Sequence, residues 1–73
     1  MSKLPVVSGR ELIRVLAKIG FVLDRQKGSH MILYRSDPIT TLSVPDHREL
    51  DRGTLRSILR QAGLSTEQFQ QLL

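Results

Sequence analysis

"FVLDRQKGSHMILYR", residues 21–35, decides the fold. β-favouring residues stand on either side of Lys27, Gly28 and Ser29. A short glycine-containing break between two such runs reads as an antiparallel hairpin, with Gly28 taking the positive φ that a tight turn needs. Side chains alternate along a strand, so His30, Ile32 and Tyr34 share one side of the second strand, and Met31, Leu33 and Arg35 the other. Burying His30 and the Tyr34 hydroxyl would demand a partner for each polar group. Met31 and Leu33 are therefore expected in the core, with His30 on the far side.

Upstream of the hairpin, Ser8 and Glu11 stand at capping-box spacing and open a helix. Leu12, Val15, Leu16 and Ile19 fall on one of its faces, Arg10, Arg14 and Lys18 line the other, and Gly20 ends it. Downstream, Asp37 and Pro38 break the second strand, "TTLSV" at 40–44 reads as a third, and Pro45 stops it. "LDRGTLRSILRQAG", residues 50–63, is a second amphipathic helix with Leu55, Ile58, Leu59 and Ala62 inward, Asp51 capping its start and Gly63 its end. Arg52, Arg56 and Arg60 form a second basic row on it. Gly53 is costly so near a helix start and reads as a site of close backbone contact. Ser65 and Gln68 repeat the capping-box spacing and predict a short terminal helix packed through Phe69 and Leu72.

The expected fold is α+β, one domain over residues 1–73 in the order α-β-β-β-α. It has a three-stranded antiparallel sheet, two helices on one face and a short C-terminal helix. Two helices cover only one face of such a sheet, so the other stays open.

Composition narrows the function classes. The chain has no cysteine, which removes disulfides, a thiol nucleophile and cysteine-ligated zinc, and makes a reducing, cytoplasmic setting the expectation. No apolar run suggests a membrane span or a secretory signal. The formal net charge is +4, which favours polyanionic partners. The excess is local: residues 1–36 carry seven basic and two acidic side chains, and residues 37–73 four and five.

The chemistry-bearing residues lie in that basic half. A histidine side chain has an ordinary pKa near 6.5 and can both take and give a proton at cellular pH. RNA places a 2′-hydroxyl beside each phosphodiester, so a positioned base suffices to make it attack, and a metal is not required. Around His30, Arg25 and Lys27 can steady phosphate charge, while Ser29 and the backbone N–H groups near Gly28 can hydrogen-bond its oxygens. Tyr34 and Ile32 offer a stacking platform for unpaired bases or an apolar patch for a protein partner. A plain turn with a surface histidine is the competing reading of "GSH". The second histidine, His47, lies in a charged loop, where solvation is the ordinary reading and a second proton relay the alternative. Two histidines with Asp46 match no zinc-ligand spacing, so neither a metal nor a cofactor is expected.

"SGRELIRVLAKIGF", "KGSHMIL" and "VPDHRELDRGTLRSILRQAGLS" followed by "EQF" occur here in that order. Together these stretches resemble the HicA (YcfA-like) toxins of bacterial and archaeal toxin–antitoxin modules, from Ser8 to Leu72. The resemblance implies a double-stranded-RNA-binding-domain-like fold acting as an endoribonuclease on messenger RNA (an mRNA interferase). His30 would be its essential catalytic residue, with Arg25, Lys27, Gly28, Ser29 and Tyr34 as RNA-binding neighbours. It also implies a HicB-type antitoxin that covers the histidine site. Two other classes remain open at this point: a non-catalytic double-stranded-RNA-binding module, and a protein-interaction subunit acting only in repression.

Overall fold

The computed structural model describes residues 3–73. Its elements follow the predicted order: α1 (Gly9–Ala17), β1 (Val22–Lys27), β2 (His30–Ser36), β3 (Ile39–Pro45), α2 (Arg52–Ala62) and α3 (Thr66–Leu72). Each helix starts where its capping residue dictates. Ser8 accepts from the Glu11 N–H while the Glu11 carboxylate accepts from the Ser8 N–H, and Ser65 and Gln68 repeat the arrangement at α3. Asp51 accepts from the Thr54 N–H, and α2 ends on Gly63 with φ of 82°.

The sheet is antiparallel in the order β1-β2-β3. Met31 pairs with Val44 and Leu33 with Leu42, and all four are buried against Leu12, Val15 and Leu16 of α1 and Leu55, Ile58, Leu59 and Ala62 of α2. Phe69 closes this core from α3, so the terminal helix belongs to the domain and is not an appendage. The helical layer lies on one face, and among the described residues no element covers the other. Among the described residues no helix is long and apolar enough to cross a membrane.

Arg35 points into the helical side, as the alternation requires, and there it is a tie. Its guanidinium donates to the carbonyl oxygens of Ile19 and Ala62, at 3.4 Å each, and lies 4.4 Å from the centroid of the Phe21 ring. A cation at the ends of α1 and α2 meets carbonyls left unpaired by the last helical turns.

Two features differ from the expectation. β1 carries a bulge: Leu23 pairs with Leu33 but Arg25 with Ile32, leaving Asp24 as the extra residue. Close backbone approach occurs at Gly9 and not at Gly53. A Cβ on Gly9 would stand 2.0 Å from the Pro45 carbonyl oxygen, whereas one on Gly53 would meet only the Asp51 side chain, at 3.3 Å.

Candidate nucleic-acid interface

The site begins with a two-residue turn. Gly28 has φ of 59° and no other residue has positive φ nearby, the pattern of a type II′ turn, whose first central position needs glycine. Nothing lies within 4 Å of where a Gly28 Cβ would be, so the glycine serves backbone handedness and not close packing. This turn sets Lys27 opposite His30, on the same face of the sheet.

Register then determines what surrounds His30. Arg25 pairs with Ile32 and Val22 with Tyr34, while on the other side Pro45, Ser43 and Thr41 pair with His30, Ile32 and Tyr34. The bulge matters here, because one extra residue exchanges the two faces of a strand. It lets Leu23 share the helical side while Arg25 and Lys27 stand on the open side. His30, Lys27 and Arg25 thus form one exposed cluster at the hairpin end. Tyr34, 40% exposed, lies four residues along the strand, about 13 Å away, and groups instead with exposed Val22 and Ile39.

The turn is held from outside by residues that sequence reasoning did not place in the site. The Asp46 N–H donates to the Ser29 carbonyl oxygen at 2.7 Å. The Asp46 carboxylate accepts from Arg10 Nε at 3.2 Å and Nη2 at 3.3 Å, and Gln26 Nε2 donates to the Gly28 carbonyl at 3.1 Å. Asp46, Arg10 and Gln26 are therefore positioning residues for the histidine turn. The "VPDH" stretch was visible in the sequence, but its proximity to "GSH" depends on the register of three strands. His47 is exposed, and its carbonyl accepts from the Gly9 N–H at 2.9 Å; its structural contact is through the backbone.

Two grooves lie beside the His30 cluster and not in it. A groove of about 360 Å³ is lined by Arg10, Ile13, Arg14, Leu23, Gln26 and Met31 under α1, and another of about 230 Å³ by α1 and the C-terminal residues. Neither includes His30. An exposed face with a histidine and two cations suits an extended strand laid across it better than a small molecule enclosed on several sides. Among the described residues no group of three His, Asp or Glu side chains could hold a metal ion.

Three carboxylates are held below the usual carboxylate range. Arg10 lowers Asp46 mainly through its hydrogen bonds, Ser8 lowers Glu11 through its backbone N–H and then its hydroxyl, and Thr54 lowers Asp51 through its hydroxyl and then its N–H. A carboxylate with a folded pKa below its unfolded one contributes stability that is complete above the unfolded value and disappears as pH falls through the folded value. Thermal stability is therefore expected to be flat from neutral pH down to about 5, and to fall steadily below about 4 as both helix caps and the turn tie protonate. Scanning calorimetry across that range checks this; a melting temperature unchanged at pH 3 contradicts it.

No curated protein matches the chain. A family model described as HicA toxin of bacterial toxin-antitoxin matches residues 9–64, a span that runs from the first residue of α1 through the hairpin, Asp46 and the end of α2. With most of its length inside that match, the chain belongs to the HicA toxin family.

Proposed function

We propose that this toxin is a metal-independent endoribonuclease that cleaves messenger RNA with His30, acts in the cytoplasm, and is neutralised by a HicB-type antitoxin seated on the open sheet face. The observation that carries the reading is the position of His30. It is exposed at the start of β2, opposite Lys27 and two pairs away from Arg25, on a face that no helix of the described residues covers.

In this reading the RNA lies along the open face with a phosphodiester at the hairpin end. The His30 imidazole takes the proton of a 2′-hydroxyl, whose oxygen attacks the adjacent phosphorus. The bond from phosphorus to the 5′-oxygen breaks, and that oxygen takes a proton from solvent. A 2′,3′-cyclic phosphate and a 5′-hydroxyl end result. Lys27 and Arg25 offset the charge that builds on the phosphate oxygens, where a preorganised cation acts without reorganisation. Val22, Tyr34 and Ile39, exposed on the same face, support the antitoxin assignment. A protein covering that apolar patch would also close access to His30.

The test uses purified protein and a mixed-sequence RNA in EDTA. Cleavage is expected, and a single 2′-deoxy substitution at a cleaved position should abolish it there. Continued cleavage at the deoxy position overturns the mechanism, and duplex binding without any product makes the protein a binding module.

A further inference from the structure

The two basic helix rows have different fates in the structure. On α1, Arg10 is bonded to Asp46, Lys18 donates to the Leu72 carbonyl oxygen, and Arg14, exposed and without a hydrogen bond among the described residues, lies close enough to Glu11 to feel its charge. On α2, Arg52, Arg56 and Arg60 are exposed, and among the described residues they have no hydrogen bond or ion pair. α2 contains these three arginines and no acidic residue.

This arrangement is unfavourable to the isolated fold. Like charges four apart on a helix repel, and Arg52 in the first turn opposes the positive end of the helix dipole. The Asp51 carboxylate at the N-cap offsets the dipole term beside Arg52, while no acidic side chain within α2 separates the three arginines. Because Leu55, Ile58, Leu59 and Ala62 are buried, the arginines line the outer side of α2, on the layer opposite the open face. Successive members advance about 6 Å along the helix axis, which makes a straight line of three charges suited to a polymer with regularly repeated anions.

We propose that Arg52, Arg56 and Arg60 form a second, remote binding site for RNA backbone phosphates, holding the flank of a transcript whose other part lies at His30. The inference rests on the ribonuclease reading above. α2 packs against β3, the edge strand of the sheet, so a strand leaving the open face can pass around the β3 edge and reach α2. A short oligonucleotide confined to the sheet cannot. The row therefore contributes binding that is equal in ground and transition states, which lowers KM and leaves kcat alone.

The experiment compares wild type, Arg52→Gln/Arg56→Gln/Arg60→Gln and the corresponding triple Lys variant, on a long unstructured RNA and on a hexanucleotide. For the Gln variant we expect KM for the long RNA to rise roughly tenfold or more with kcat unchanged. The slope of log affinity against log salt should fall by about 2, three phosphate contacts on a single strand. Hexanucleotide cleavage and melting temperature should hold, and the Lys variant should keep the wild-type salt slope. Unchanged long-RNA affinity and slope in the Gln variant overturn the inference while leaving the ribonuclease reading standing. So does equal loss on both substrates, or loss of antitoxin binding alone. Wild-type protein that neither binds nor cleaves RNA overturns the underlying reading and this one with it.

Discussion

His30→Ala protein is expected to fold and melt like wild type, and to lose cleavage of RNA by a factor of about 10² to 10⁴, the range that a positioned general acid or base supplies. Its fold should survive because the side chain is exposed and makes no hydrogen bond among the described residues. Alanine keeps the strand backbone and the pairing with Lys27 and Pro45. RNA affinity should change little, since Arg25, Lys27 and the helix arginines remain. His47→Ala is the matched control and should retain near wild-type cleavage, because that residue accepts the Gly9 N–H through its backbone carbonyl, which alanine keeps. The measurements are single-turnover cleavage with saturating enzyme, and circular dichroism on the same preparations. Undiminished cleavage by His30→Ala removes the mechanism proposed above.

The second large effect is structural. Gly9→Ala is expected to destabilise the domain by about 2–4 kcal/mol, since overpacking a tight contact costs about 1–3 kcal/mol and occasionally more, with a lost backbone hydrogen bond adding to it. The new methyl group would lie 2.0 Å from the Pro45 carbonyl oxygen and 3.1 Å from its carbon. These are backbone atoms of β3 and cannot rotate away. α1 must therefore retreat from the sheet, which strains the Gly9 N–H bond to the His47 carbonyl and the Arg10 bonds to Asp46. A domain of this size has roughly 4–11 kcal/mol in total, so the melting temperature should fall by roughly 10–25 °C. Gly53→Ala is the informative comparison and should shift it far less, because only a side chain stands near that position. A Gly9→Ala protein as stable as wild type would mean that the helix start is not held this tightly against β3.

Gly9 also links stability to the site. Its N–H fixes His47, the next residue before it is Asp46, and Asp46 holds the Ser29 carbonyl and so the turn that carries His30. A partly folded Gly9 variant should thus lose activity along with stability, in contrast to His30→Ala, which separates the two.

Much of this molecule was readable from local signals. The capping residues Ser8, Asp51 and Ser65 act on their own next turn, so the helix starts follow from a few adjacent letters. The hairpin and the burial of Met31 and Leu33 follow from two-residue alternation together with the cost of burying His30 and Tyr34. The histidine and its basic neighbours were legible for the same reason: they lie within six residues across one short turn.

What the sequence could not reveal depends on contacts between residues far apart in the chain. The bulge at Asp24 satisfies both the turn and the core, a compromise visible only once Leu23 has Leu33 to pair with. The Asp46 tie to Arg10 spans 36 positions, and the crowding at Gly9 comes from β3, so in each case one partner alone carries no sign of the other. The two basic rows look alike as text, and the packing distinguishes them, because an ion pair or a carbonyl partner arises where separate elements meet. Local conformational preference therefore determined the elements and their caps, and tertiary contact decided which charges the fold consumes and which it leaves facing solvent.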